Sequence, residues 1–238
     1  MAPILRGGLI GCGYFADNHL HAWQDAAGVE IVALCDQDAG RAERTGRKFG
    51  VRAVYGDAEQ MFQNEKLDFV DIVTQAPSHR ALVEGAAALG IHVICQKPFA
   101  PSMEDARAMV IACRRSGVHL MIHENFRWQR PLRALKAASE KIGELFFGRI
   151  VFRNDHEIFT NQPYLATGER FILYDLGIHL LDLARFYLGD VSRLFCHTQS
   201  VNPNVRGEDT ASISLVMESG SSCLVEACYF SHLAKDSF

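Results

Sequence analysis

From Gly7 to about Ile122, short apolar runs alternate with longer segments in which apolar residues recur every three or four positions. That order is expected of a parallel sheet covered by helices. The runs Gly8 to Ile10, Glu30 to Cys35, Phe69 to Thr74, His92 to Cys95 and Val118 to Ile122 predict strands, with a weaker one at Val51 to Tyr55. Between them, Asp17 to Ala26, Ala39 to Phe49, Ser78 to Leu89 and Ser102 to Ser116 predict helices. Ser78 and Ser102 are placed as N-caps, because a hydroxyl there can accept a first-turn N–H, and Glu104 or Asp105 suits the positive end of the helix dipole. The series is βαβ, with right-handed crossovers.

After His123 the pattern changes. One helix, about Pro131 to Lys141, leads into a long predicted strand from Gly148 to Phe159 and then a loop rich in Asn, Gln, Pro, Thr and Gly. A strongly apolar helix is expected at Tyr174 to Leu188, followed by two β stretches, Asp209 to Met217 and Ser222 to Phe230, joined as a hairpin through Glu218-Ser-Gly-Ser. The fold class is α/β: a doubly wound parallel sheet over residues 1–123, then an α+β domain with a largely antiparallel open sheet over 124–238.

Composition narrows the function classes. Hydrophobic residues are 48% and charged residues 22%, as in an ordinary globular chain, and the formal net charge of −4 offers no basic face for nucleic acid. Seven scattered cysteines with no Cys-x-x-Cys pair read as free buried thiols, which argues against a zinc or disulfide framework and for a reducing compartment. There is no cleavable leader pattern and no apolar run of the roughly 18 residues that a membrane span needs. The expected location is the cytoplasm, with no metal, no membrane and no nucleic acid.

The first strand runs into Gly11-Cys12-Gly13-Tyr14-Phe15-Ala16, which opens a helix. In that setting a G-x-G-x-x-A turn is informative. Gly11 permits the turn, Gly13 lets backbone approach a pyrophosphate, and the helix start offers unpaired N–H groups to the anion. Asp36 ends the second strand, where a carboxylate can accept from both ribose hydroxyls, so NAD is expected over NADP, with Arg41 one turn further on as partial compensation for a 2′-phosphate. The other reading of Asp36 is a helix N-cap.

Two further features suggest chemistry. Cys95-Gln96-Lys97-Pro98 closes a strand of the same sheet, placing Lys97 at the carboxyl edge where open α/β folds bind ligands; Pro98 holds Lys97 extended and leaves the isomer open. Asp175 and His179, with Asp182 beyond, open the apolar helix at i, i+4 spacing, so both can act on one group, the carboxylate orienting the imidazole. A solvated lysine and a helix-start acid beside a packed histidine are the plainer alternatives.

Five motifs in order, Gly11-x-Gly13, Thr74-Gln-Ala-Pro77-Ser-His79, Gln96-Lys97-Pro98, Glu124-Asn-Phe-Arg127-Trp128 and Asp175-x-x-x-His179, make the chain resemble the glucose-fructose oxidoreductase/inositol dehydrogenase/MocA family over essentially its whole length. The phrases Ile94 to Ala100, His123 to Gln129, Gln162 to Leu165 and Gly168 to Phe171 sharpen the resemblance toward members that oxidise D-apiose. The family's usual Glu-Lys-Pro is Gln-Lys-Pro here. The resemblance implies a Rossmann domain and a second domain whose open sheet joins homodimers or homotetramers. It implies hydride transfer from the anomeric carbon of an aldose to NAD, giving a lactone, with Lys97, Asp175 and His179 catalytic. It also places Thr74 and Pro77, His79 and Gln96, and Asn125, Arg127 and Trp128 near the cofactor. His156 and Tyr164 are candidates for sugar hydroxyls, with surface or core packing as the alternative.

Family members run on for roughly another hundred residues. The resemblance therefore implies a second domain short of strands and of a helix returning to the first domain, with an open β edge, association or poor solubility, and lowered stability and activity. The alternative functions are a non-catalytic NAD-binding sensor or regulator of the same fold, or a dehydrogenase for another sugar, an inositol or a nucleotide sugar.

Overall fold

The alternation written in the first half of the chain folds as a repeated strand-helix unit. The computed structural model describes residues 3–139, 141–155 and 158–231. The chain divides into two compact units, Met1–His123 and Glu124–Phe238.

In the first unit, β1 (Leu5–Ile10), α1 (Ala16–Asp25), β2 (Val29–Cys35), α2 (Ala39–Phe49), β3 (Ala53–Tyr55), α3 (Ala58–Asn64), β4 (Phe69–Ile72), α4 (Ala76–Ala88), β5 (His92–Gln96), α5 (Met103–Ser116) and β6 (Leu120–His123) follow in order. The strands pair in parallel in the order β3-β2-β1-β4-β5-β6. The direction in which successive strands are added reverses between β1 and β4, and this switch point opens a crevice at the carboxyl ends of the strands. Both faces are covered, so the central strands carry a largely apolar core: Leu9, Ala33, Leu34, Val70, Ile72 and Cys95 are buried. Burial also pushes the Cys35 and Cys95 thiols up to about 12, leaving them protonated and inert.

Local signals set the helix ends. Ser102 caps α5 as expected, its Oγ accepting from Asp105 N at 3.1 Å, and Gly117 closes that helix in the left-handed region at φ 67°. Ser78 does not cap α4. The helix begins two residues earlier, with Gln75 at the N-cap and Pro77 in its first turn, and Ser78 Oγ instead donates back to Thr74 Oγ1 and Gln75 O.

The second unit holds α6 (Arg130–Ser139), β7 (Phe147–Arg153), α7 (Tyr164–Thr167), α8 (Ile178–Leu188), β8 (Val191–Gln199), β9 (Thr210–Met217) and β10 (Ser222–Cys228). Its sheet order is β7-β10-β9-β8, with β7 parallel to β10 and the other pairs antiparallel. Period-two alternation on β9 and β10 turns Ala211, Ile213, Leu215, Met217, Cys223, Val225 and Ala227 inward, where they pack with Leu176, Leu180 and Ala184. Gly148 leaves room for that helix, since a Cβ there would lie 2.9 Å from Leu188.

Two predicted boundaries move. The strand from Gly148 stops at Arg153, because Ile158 and Phe159 pack with Leu165, Phe171 and Val205 instead of extending the sheet. The apolar helix is interrupted at its start: Leu173–Gly177 is a π-helical turn that passes into α8 at Ile178.

Candidate active site

In the first unit the expected cofactor residues gather at the carboxyl edge of the sheet. Gly11 has φ 97°, and a Cβ there would sit 2.7 Å from Val73 O, so both conformation and space demand glycine. Gly13 is different. A Cβ there would meet nothing within 4 Å, so no neighbour in the chain requires its absence, and the space lies where a ligand's phosphate would approach the backbone. Helix α1 begins without a side-chain cap, leaving its N-terminus available to an anion. Tyr14 is exposed, and Phe15 packs edge-on against His19 at 5.6 Å.

Asp36 locks this turn from β2. Its Oδ2 accepts from Cys12 N at 2.8 Å and its Oδ1 from Asp38 N at 2.8 Å. Oδ1 keeps a lone pair beyond the one facing Asp38 N, so the contacts leave Asp36 an acceptor for a ribose hydroxyl. Asp36 is not the N-cap of α2; that place belongs to Asp38, which accepts from Arg41 N. The Arg41 guanidinium lies 3.5 Å from Asp36 and 3.7 Å from Asp38, so its charge is shared between two acids and less available to a 2′-phosphate. Burial, then the Asp36 charge, pushes the Cys12 thiol up to about 11.

The next strand ends bring Thr74 and Lys97 to the same edge. His79, fully buried, lies between Thr74 and Phe99: its Nε2 lies 3.0 Å from Thr74 O and its Nδ1 3.0 Å from Phe99 O. Its ring thus joins two backbone segments. The Lys97–Pro98 peptide is cis, and Lys97 N donates to Gln96 Oε1 at 2.7 Å. Lys97 is half-buried.

In the second unit the geometry around His179 departs from expectation. The imidazole is buried, stacked flat on Phe126 at 4.2 Å with 6° between the rings, and its Nδ1 is hydrogen-bonded to Glu124 Oε1. Sequence reasoning gave the orienting role to Asp175. Asp175 lies within the π turn Leu173–Gly177, and Glu124, at the start of this unit, is the carboxylate on Nδ1. Its only sequence signal was an acid directly following a sheet strand, inside a motif quoted for other residues.

Arg127 makes a bidentate ion pair with Asp182, through Nε at 2.6 Å and through Nη2, and its guanidinium lies over Phe186 at 5.3 Å. Asp182 raises its pKa further above the ordinary arginine range. Trp128 is exposed beneath the Arg133 guanidinium, and Asn125 Oδ1 is buried without a hydrogen-bond partner. Tyr164 is half-exposed, its hydroxyl donating to Gln162 Oε1 at 2.8 Å; burial and then the charge of Asp175 raise its pKa. His156 lies outside the described residues.

A parallel sheet in this order, with a glycine turn, a strand-end acid and a lysine at its carboxyl edge, defines a dinucleotide-binding oxidoreductase fold. Family models match most of the chain: "Oxidoreductase family, NAD-binding Rossmann fold" over residues 5–124 and "GFO/IDH/MocA C-terminal domain" over 132–238. The chain belongs to the Gfo/Idh/MocA oxidoreductase family.

It is 54% identical over 235 residues to the D-apiose dehydrogenase of Paraburkholderia graminis, and 52% identical over 236 residues to that of Rhizobium rhizogenes. Each alignment takes in 98% of this chain, which spans 63% and 68% of the length of those relatives. The crystal structure of an oxidoreductase from Agrobacterium radiobacter, in complex with NAD+, L-tartaric acid and magnesium, superposes with a TM-score of 0.96 at 51% identity, covering 99% of this chain and 69% of that one. Among the described residues, no helix is long and apolar enough to cross a membrane.

Proposed function

We propose that this protein is an NAD-dependent sugar dehydrogenase that oxidises the cyclic hemiacetal of D-apiose at its anomeric carbon to a lactone. The observation that carries the reading is the 54% identity to a D-apiose dehydrogenase across 98% of the chain, with Lys97, Asp175 and His179 all present.

The glycine turn and the uncapped start of α1 fit a pyrophosphate, and Asp36 fits the adenosine ribose. When bound, NAD supplies the hydride acceptor. The remaining work falls to the chain. Lys97 hydrogen-bonds the reacting hydroxyl oxygen and stabilises its developing negative charge. His179, held by Glu124 with the proton on Nδ1, accepts the hydroxyl proton at Nε2. Asp175 contributes negative charge beside the same helix start, and Thr74, Asn125 and Trp128 are assigned to the cofactor by family resemblance. Tyr164 is assigned to the sugar hydroxyls.

The reading extends to assembly and location. The outer sheet face carries Phe147, Phe195 and Leu224, all exposed, and we assign it to association with a second copy. Buried unpaired thiols support a reducing, cytoplasmic setting.

A spectrophotometric screen for NADH or NADPH formation with D-apiose, other aldoses, inositols and nucleotide sugars tests the function. NADH formation with D-apiose is expected. NAD binding without turnover of any of them would favour a non-catalytic sensor instead.

A further inference from the structure

Buried polar side chains in the first unit form a connected chain that the glycine turn does not explain. Asp71, fully buried on β4, accepts at Oδ2 from Trp23 Nε1 at 2.7 Å and faces His19 Nδ1 at 2.7 Å. His19, on α1 and also buried, has its Nε2 3.1 Å from Gln96 Nε2, and Gln96 Oε1 lies 2.7 Å from Lys97 N. Phe15 and His123 pack on the His19 ring at 5.6 and 4.5 Å, so the imidazole is held from the loop before α1, from β4, from β5 and from the end of β6.

One member of this chain fixes the direction of all the others. A backbone N–H can only donate, so the Gln96 atom facing Lys97 is its oxygen, and the Gln96 amide N–H₂ therefore faces His19. His19 Nε2 must then accept, which puts the ring proton on Nδ1, where the Asp71 carboxylate accepts it. With a neutral imidazole, each of these four contacts pairs one donor with one acceptor. Asp71 Oδ1 nevertheless has no partner, so the device leaves a half-satisfied carboxylate in a fully buried place. An apolar residue would be cheaper there if packing were the only purpose.

We propose that His19 is a positioning residue for Lys97, acting through Gln96: Asp71 fixes its tautomer, and the tautomer fixes the amide that holds the Lys97 backbone. This rests on Lys97 having the part assigned to it above. The side chain at position 96 sets the protonation the chain requires. With glutamine a neutral imidazole satisfies it. With glutamate, both carboxylate oxygens would accept, one from Lys97 N and one from His19 Nε2, and the imidazole would need a proton on each nitrogen.

The test uses the 238-residue chain with isotope-labelled histidines. Nitrogen-edited NMR at neutral pH should show His19 protonated on Nδ1 alone in the wild type, and on both nitrogens in Gln96→Glu. In Gln96→Leu, hydrogen exchange at the Lys97 amide should accelerate at least about tenfold, while Val70 and Val93 in the same sheet keep their rates. Protection of Lys97 should return in Gln96→Glu. A wild-type His19 protonated on Nε2, or unchanged Lys97 exchange in Gln96→Leu, overturns the proposal. Neither measurement uses turnover, so failure of the dehydrogenase reading is distinguishable from failure of this one.

Discussion

Glu124 Oε1 holds Nδ1 of His179, across 55 positions of sequence, while Phe126 from the same short segment stacks on the ring. The turn after β6 therefore both orients the imidazole and fixes which nitrogen is basic. The carboxylate accepts from Nδ1–H, leaving the Nε2 lone pair free for the proton-accepting role proposed for it.

Replacing Glu124 with Gln keeps the shape but removes the charge. We expect kcat to fall by about ten- to a hundredfold, less than the roughly 10²–10⁴-fold ascribed to a positioned general base itself, since the base is still present. NMR of the His179 ring should show weakened preference for the Nδ1–H form in Glu124→Gln and an unchanged preference in Asp175→Asn. The reverse pattern would return the orienting role to Asp175.

Gly11 and Gly13 should separate stability from binding. Gly11→Ala forces an alanine to φ 97° with its Cβ 2.7 Å from Val73 O, and should lower unfolding stability by roughly 2 kcal/mol or more. Gly13→Ala meets no protein atom and should leave the thermal midpoint unchanged while weakening NAD binding in a calorimetric titration. Equal loss of stability in both variants would contradict the assignment of Gly13 to a ligand.

Much of this arrangement can be read from the chain. The βαβ order, the glycine turn, Asp36, Lys97 and the cap at Ser102 rest on local patterns. What escaped the pattern had weak or long-range signals. Helix α3 is too short for periodicity to declare itself. Strand β8 places Leu194 and Phe195 side by side and mostly exposed, so it shows no alternation. The π turn before α8 cannot be seen in an apolar helical run. The pairings of Glu124 with His179 and of His19 with Asp71 span 55 and 52 positions, and only the fold brings them together.

The outer face of the second sheet carries a titratable pair of contacts. Arg153, first, and Arg149 hold the Glu226 carboxyl below its usual range. A depressed folded-state pKa means that the unfolded chain binds the proton more readily, so the stabilisation is present above the unfolded value and is lost as pH falls through the folded one. The arginines are about half exposed, which screens the pair, so Glu226→Gln should cost no more than about 1 kcal/mol at neutral pH. In urea unfolding the difference between variant and wild type should shrink below about pH 4 and with added salt. A difference independent of pH would exclude the ion pairs as its source.

Lys97→Ala should lower kcat by about a hundred- to ten-thousandfold, the scale of a lost charge-stabilising donor, and leave NAD affinity nearly unchanged. Loss of NAD binding in step with kcat would make Lys97 a cofactor-holding residue instead.

The central claim is hydride transfer from the anomeric carbon of a sugar to the nicotinamide. D-Apiose deuterated at that carbon tests it most directly. The label is expected in the reduced cofactor, as read by mass spectrometry, and its rate of transfer should fall in step with kcat in Lys97→Ala. Oxidised sugar that retains its deuterium, or reduced cofactor without label, would contradict it.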